Sequence, residues 1–132
     1  MRITTDTNVL VRAVTLDHPV QGALAQREIT EAELLAVTQA ALCEFCWVLG
    51  TSYAFTKPEI AESIRTLIEA DNVVVDHIAV EAGLAQLDAG GDFADGLIAY
   101  SGRSMGAETF VTFDRRAETI LLARGEAVRQ PA

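Results

Sequence analysis

Strand-like and helical patterns alternate along the chain, and this alternation restricts its fold more than any other feature. Short apolar or β-branched segments are followed by longer segments in which apolar residues recur at helical spacing. Strands that alternate with helices in this way form a parallel sheet with helices on both faces. The sequence therefore predicts a three-layer α/β/α fold with a mostly parallel central sheet.

The predicted elements cover most of the 132 residues, which we interpret as a single domain, 1–132, long enough to bury a core. Strands are expected over Arg2–Thr5, Leu34–Thr38, Asn72–Val75, Thr109–Phe113 and Ala127–Arg129. Helices are expected from Val9 to Val14, over Pro19–Thr30 and Gln39–Tyr53, from a capping box of Thr56 and Glu59, over Ile78–Ala89 before the Gly90-Gly91 stop, and over Phe93–Met105 and Arg115–Arg124.

Asp6 and Asp114 each directly follow a predicted strand. Asp6 comes after the first strand and Asp114 after the fourth. In an open parallel sheet the carboxyl ends of the strands border the ligand crevice, so both side chains are candidates for a common site. Aspartate is also among the best N-cap residues, and each could simply cap the helix that follows it.

Glu44 lies within an apolar helical pattern, between Ala41, Trp47 and Val48 at about 100° per residue. A charged carboxylate is costly in apolar surroundings unless it is paired, which favours a bound cation. The alternative is a glutamate at the edge of the helix that reaches water or pairs with an arginine such as Arg12.

A second acidic group opens the sixth predicted helix. Asp92 precedes this helix and Asp95 lies three residues further on, so the two could form an acidic first turn favoured by the helix dipole. That explanation suffices for Asp92. The small neighbours Ala94 and Gly96 would leave Asp95 accessible, which weakly indicates a ligand role.

Carboxylates gathered at one place repel one another unless hard cations neutralise them. Asp6, Glu44, Asp95 and Asp114 together would therefore select an oxygen-preferring ion, Mg²⁺ or Mn²⁺. Such ions hold a phosphodiester, generate hydroxide from water and stabilise the leaving oxygen. The four acids thus indicate metal-dependent hydrolysis without a nucleophilic side chain.

The charge balance opposes nonspecific binding to nucleic acids. Ten basic residues against nineteen acidic ones give a net charge of -9. Nucleic-acid binding depends on positive side chains that displace counterions, so an acidic protein needs a local basic patch, bound cations or a basic partner. Arg12, Arg103, Arg115 and Arg116 are candidates for such a patch.

Composition also bears on location and on the two cysteines. No segment is long and apolar enough to span a bilayer, and the N-terminus lacks the pattern of a signal peptide, so we expect a cytoplasmic protein. Cys43 and Cys46 lie three residues apart in a helical pattern and suit a reducing compartment. We expect them to be packing residues.

Three other classes of site fit the sequence less well. A phospho-receiver module shares the length and the acidic pocket but needs a lysine after a late strand, whereas Lys57, the only lysine, opens a helix. A haloacid-dehalogenase-like phosphatase would have an aspartate where Asn8 stands. Zinc binding by the cysteines with His18 and His77 lacks the usual spacing of ligands.

Four segments in order resemble the PIN-domain nucleases, and within them the compact VapC-like toxins of toxin-antitoxin pairs. They are Asp6-Thr7-Asn8-Val9-Leu10, Glu44 in its apolar helix, Asp92 to Ala99 with the sequence DFADGLIA, and Thr112-Phe113-Asp114-Arg115. The resemblance spans nearly the whole chain.

The resemblance implies a Mg²⁺- or Mn²⁺-dependent endoribonuclease, a homodimer held inactive by a small antitoxin protein. By position it makes Asp6, Glu44, Asp95 and Asp114 metal ligands or holders of metal-bound water. It makes Asn8 and Thr112 polar supports, with Asp92 a less certain member. Arg116 stands where relatives often carry another acid. A catalytically silent PIN-like interaction module is the main alternative function.

Overall fold

The computed structural model describes residues 1–132, which form five strands and seven helices. The chain folds into two compact units, Met1–Asp76 and His77–Ala132. The first contains β1 (Arg2–Thr4), α1 (Thr7–Thr15), α2 (Pro19–Glu31), β2 (Leu34–Ala36), α3 (Gln39–Ser52), α4 (Lys57–Glu69) and β3 (Val73–Val74). The second contains α5 (His77–Asp88), α6 (Phe93–Ser104), β4 (Phe110–Val111), α7 (Arg115–Ala123) and β5 (Val128–Arg129).

The first unit has a parallel three-stranded sheet in the order β1-β2-β3, with Ile3 opposite Leu35 and Leu35 opposite Val73. Leu35 on the central strand is fully buried. The predicted strands extend further than the observed ones, partly because the last predicted residue of β2, Thr38, belongs to the next helix: its hydroxyl accepts a hydrogen bond from the N–H of Ala41. The expected parallel pairing is confirmed.

Helix α3 supplies much of the core of the first unit. Leu42, Phe45 and Leu49 are fully buried at spacings of three and four residues, so they form one face of the helix. Helix α4 begins with the predicted capping box, in which Thr56 and Glu59 each accept a hydrogen bond from the other's backbone N–H.

The second unit is built on the close packing of α5 and α6. A Cβ at Gly96 of α6 would lie 2.3 Å from the carbonyl oxygen of Ala82, so no larger residue fits there. A Cβ at Gly83 of α5 would likewise lie 2.5 Å from the buried ring of Phe93. Glycines at both positions let the two helix backbones approach each other. This packing fixes the N-terminal turn of α6, which carries two acids.

The strands of the second unit pair in parallel, with Phe110 opposite Val128. The backbone hydrogen bonds therefore group the five predicted strands into two sheets, β1-β2-β3 and β4-β5. The α/β class and the parallel pairing are as predicted. None of the helices is long and apolar enough to cross a membrane.

Candidate metal centre

The turn between α5 and α6 places Asp92 and Asp95. Gly90 has φ of +92°, a conformation that L side chains rarely adopt, and it ends α5. Helix α6 begins at the buried Phe93, with Asp92 at its N-cap position. Asp95 follows in the first turn, three residues after Asp92, so both carboxylates lie on the same side of the helix start.

The segment after β4 places Asp114. The backbone N–H of Asp114 donates to the hydroxyl of Thr112 at 3.0 Å, and its Oδ1 accepts from the N–H of Ala117 at 3.0 Å. Asp114 is therefore the N-cap of α7, as the alternative interpretation expected. The cap uses one carboxylate oxygen and leaves Oδ2 for another ligand.

Asp92, Asp95 and Asp114 come together in the second unit. One carboxylate oxygen from each lies within 4.8 Å of the others. An octahedral ion with oxygen ligands at about 2.1 Å holds adjacent ligands about 3.0 Å and opposite ligands about 4.2 Å apart, so three oxygens within 4.8 Å of one another could share one ion after closing by up to about 2 Å. Because all the donors are carboxylate oxygens, the set fits Mg²⁺ or Mn²⁺ and not a thiolate-preferring ion.

The local surroundings of these acids favour negative charge. They lie at the N-termini of α6 and α7, where the helix dipoles are positive. Asp95 is half-buried, while Asp92 and Asp114 are exposed, which leaves the cluster open to solvent and to a substrate. An accessible cluster of carboxylates at two helix N-termini can bind a hydrated cation.

Asp92 belongs to this cluster, although the sequence marked it only as a supporting residue. Unlike Asp6 and Asp114, it occupies an N-cap position without a side-chain bond to the helix N–H groups. Its spacing of three residues from Asp95 was the available signal, but the same spacing suits an ordinary acidic first turn. The structure thus brings Asp92, Asp95 and Asp114 together.

Asp6 lies in the first unit, at the start of α1. Its Oδ1 accepts from the N–H of Val9 at 3.2 Å, so it is an N-cap as well, and its carboxylate is exposed. Asp6 and Asn8 also line a shallow depression with Arg12 and Glu28 of the same unit. Strands β1 and β4, which precede Asp6 and Asp114, belong to different hydrogen-bonded sheets.

Glu44 is exposed in α3, which corrects the expectation of an apolar environment. The expectation failed because Trp47, taken as a core neighbour, is itself 67% exposed, so this side of the helix faces solvent. Pairing with Arg12 is wrong too, because the Arg12 guanidinium binds the carboxylate of Asp17 at 3.0 Å. Burial therefore gives no reason for a cation at Glu44.

The cysteines have the packing role that was expected. Cys46 is buried and Cys43 half-buried, both as free thiols, and burial raises the pKa of each. His18 accepts a hydrogen bond from the N–H of Gln21 and so caps α2. These contacts assign the three residues to the structure of the first unit and give no support to a zinc site.

Gln86 is a polar residue near the cluster that sequence reasoning missed. It is fully buried in α5, and neither its Nε2 nor its Oε1 has a hydrogen-bond partner. A Cβ at Gly91 would lie 2.9 Å from this Nε2, so the amide packs beneath the residue that precedes Asp92. Gln86 lies three residues after Gly83 and seven after Ala79, both on the buried side of α5, and this spacing was the signal that could have identified it.

The comparison with known proteins agrees with these features. No curated protein matches the chain. The family model described as PIN domain matches residues 3–120, which include all seven candidate site residues, and seven helices with a parallel three-stranded sheet are consistent with its three-layer α/β/α fold. PIN domains form a superfamily of nucleases that are usually metal-dependent. The chain belongs to the PIN domain family.

Proposed function

We propose that the chain is a Mg²⁺- or Mn²⁺-dependent endoribonuclease that hydrolyses RNA phosphodiesters. The observation that carries the proposal is the meeting of Asp92, Asp95 and Asp114 within 4.8 Å at the start of two helices. When bound, the ion supplies a Lewis acid and a nucleophilic water at neutral pH. The chain's own contribution is to hold the anionic ligands in place.

Each acid has a defined part in this proposal. Asp95 and Asp114 bind the ion, with Asp92 as a third ligand or as the holder of a metal-bound water. The hydroxyl of Thr112 accepts a hydrogen bond from the backbone N–H of Asp114 and so holds the backbone at Asp114 in place. The cap bond of Asp114 orients its carboxylate before an ion arrives, which lowers the entropic cost of binding.

Asp6 and Glu44 are assigned to the same chemistry by the family resemblance. Asp6 has one carboxylate oxygen engaged in capping α1, as Asp114 has for α7, so it too keeps an oxygen for a ligand. Asn8, exposed in the first turn of α1, would be its polar support. For Glu44 the exposed position is compatible with a ligand role but does not itself favour one.

The experiment that tests this function measures Mn²⁺ binding by calorimetry and RNA cleavage on the same preparations. We expect Asp95→Asn to weaken Mn²⁺ binding by at least about tenfold, since even the outer partners of metal ligands are worth that much, and to abolish cleavage. Asp6→Asn and Glu44→Gln test the other two assignments. Glu108→Gln, an exposed acid of the second unit outside the cluster, is the matched control.

The outcomes separate the nuclease from its main alternative. Wild-type activity in both Asp6→Asn and Asp95→Asn would refute the proposed site. A wild-type protein that binds Mn²⁺ but leaves every RNA intact would favour the silent interaction module. Sequencing the cleaved ends after expression of the chain alone would identify the RNA target.

We further propose a VapC-like toxin that acts in the cytoplasm as a homodimer and is neutralised by a small cognate antitoxin. An open apolar cavity of the first unit supports a protein partner: it lies between α1, α2 and α4, and its lining includes Leu10, Val14, Ile29 and Leu67. Exposed apolar surface of this kind marks protein contacts. A basic side chain of the partner could also neutralise the carboxylates in place of the ion.

Two measurements test the partner and the dimer. RNA cleavage is compared with and without the product of the neighbouring gene, and light scattering gives the mass of the purified chain. Inhibition by the neighbouring product and a mass twice that of the chain would support the proposal. Unchanged cleavage would contradict the antitoxin, and a monomer at all concentrations would contradict the dimer.

A further inference from the structure

Phe113 is the one phenylalanine of five that the fold leaves exposed. Its residue surface is 81% exposed, whereas Phe45 and Phe93 are at most 1% exposed. An aromatic ring normally contributes to the core through its large apolar area. A ring that stays in water at this position gives no such contribution, which suggests that it contacts something outside the chain.

The backbone around Phe113 is held in place on both sides. The preceding Thr112 accepts a hydrogen bond from the N–H of Asp114, which closes a turn with Phe113 in its middle. The following Asp114 is fixed by its cap bond to Ala117. The ring is therefore carried on an ordered turn and presented to solvent by the fold.

Phe113 directly precedes a member of the acidic cluster. Consecutive Cα atoms are about 3.8 Å apart, so the ring is attached to the backbone one residue away from the Asp114 carboxylate. Asp114 in turn lies within 4.8 Å of Asp92 and Asp95, atom to atom. A ligand bound at this cluster would therefore lie close to the backbone segment that carries the ring.

Two arginines follow on the other side of Asp114. Arg115 and Arg116 are both exposed, and the structure gives the Arg115 guanidinium no acidic partner. Arg116 donates to the carbonyl oxygen of Gly90 at 3.2 Å, and both arginines line a shallow depression with Thr119. In a protein of net charge -9, adjacent arginines in an open depression suit a phosphate.

We propose that Phe113 is a stacking platform for an unpaired base of single-stranded RNA, with Arg115 and Arg116 binding a phosphate of the same strand. This rests on the proposed nuclease function and names its substrate class. An aromatic ring stacks on any base whose face is free, and arginines beside it hold the backbone. In a duplex the base faces are already stacked, so the ring favours single strands.

Binding of a fluorescein-labelled 12-nucleotide RNA, measured by anisotropy, tests the proposal. We expect Phe113→Leu to weaken binding of the single strand by roughly 5- to 150-fold, the value of one base stacked on an aromatic side chain, and to leave binding of the duplex unchanged. Phe113→Trp should restore the affinity. Leu122→Ser, which removes an exposed apolar side chain of α7, is the matched control and should bind as wild type.

A spectroscopic measurement identifies stacking directly. In a Trp47→Phe background, Phe113→Trp makes residue 113 the only tryptophan, because Trp47 is the only one in the natural chain. Quenching of its emission by the single strand but not by the duplex is the expected result. Arg115→Gln should weaken binding and reduce its dependence on salt, since one phosphate contact is lost.

The proposal is overturned if Phe113→Leu binds the single strand as tightly as wild type, or if single strand and duplex lose affinity equally. A change of molecular mass in Phe113→Leu with unchanged RNA affinity would assign the ring to a contact between proteins and would also overturn it. Mn²⁺ binding should be unaltered in Phe113→Leu. Failure of the nuclease function would appear separately, as absence of cleavage by the wild-type chain.

Discussion

A Cβ on Gly96 would lie 2.3 Å from the carbonyl oxygen of Ala82. Gly96 immediately follows Asp95, and Ala82 belongs to the neighbouring helix, so this contact determines how closely the acidic turn of α6 approaches α5. A backbone atom cannot swing aside as a flexible side chain can. The candidate metal centre therefore depends on a glycine that carries no chemistry of its own.

Gly96→Ala should lower the free energy of unfolding by roughly 1–3 kcal/mol, because the added methyl group forces the two helices apart. Gly102→Ala is the matched control in the same helix, where the nearest atom would be 3.9 Å away. It should be neutral or stabilising by roughly 0.5–1 kcal/mol. Urea unfolding checks both, and equal stabilities for the two variants would contradict the packing argument.

Asp114 allows its structural and chemical roles to be measured separately. Asn caps a helix about as well as Asp, so Asp114→Asn should keep the cap of α7 and lose Mn²⁺ binding. Asp114→Ala should lose both, with a cost of about 1 kcal/mol in the free energy of unfolding. Calorimetry and thermal unfolding of the two variants provide the comparison. Full Mn²⁺ affinity in Asp114→Asn would mean that the residue is a cap alone.

The hydrogen bonds to the carboxylate of Asp17 predict that the stability of the protein depends on pH. The hydrogen bond from Tyr53 at 2.8 Å, and then that from Thr15, lower the pKa of Asp17 from its ordinary value of 3.8 to about 2. Because the pKa is lower in the folded state, the stabilisation is complete above pH 3.8 and disappears as the pH falls through about 2.

Asp17→Asn should therefore be less stable than wild type at pH 6, and the difference should shrink towards pH 2. The melting temperature of each protein over this range gives the measurement. Asp71→Asn, an exposed acid of the same unit, controls for the general loss of carboxylate charge. A difference that stays constant from pH 6 to pH 2 would contradict the ionic origin of the stabilisation.

Replacement of Gln86 is expected to stabilise the protein, in contrast to Asp17→Asn. Replacement by methionine, which has a similar shape and no amide, removes two buried polar atoms without partners and should raise the free energy of unfolding by about 1 kcal/mol. Gln26→Met, which loses a hydrogen bond to the carbonyl oxygen of Ala13, should slightly lower it. A destabilised Gln86→Met would show that the amide has a bound partner, such as an ordered water.

The sequence predicted the structure well where the local capping residues agree with the order of strands and helices. Asp114 follows a strand, opens a helix and obeys the rules of capping, so its placement could be predicted. The same holds for Thr56 and Glu59, whose capping box depends only on residues three apart. Parallel pairing was predictable as well, because strands joined by helices have no simple antiparallel alternative.

Other features depend on contacts that a linear pattern does not contain. Trp47 is an apolar residue at helical spacing, so the sequence pattern placed it in the core. Because its side chain is in fact exposed, the apolar environment predicted for Glu44 was wrong as well. The grouping of Asp92 with Asp114 requires two segments distant in sequence to meet. The division of the strands into two sheets likewise depends on which backbones pair, and short β-branched segments do not specify their partners.

The meeting of Asp92, Asp95 and Asp114 also has a thermodynamic consequence. An unfolded chain separates these carboxylates, so a divalent ion that needs all three binds only the folded second unit. Binding to one state alone shifts the folding equilibrium by an amount that grows with the logarithm of free ion concentration. The supply of divalent ions would then govern the resistance of this unit to proteases as well as its chemistry.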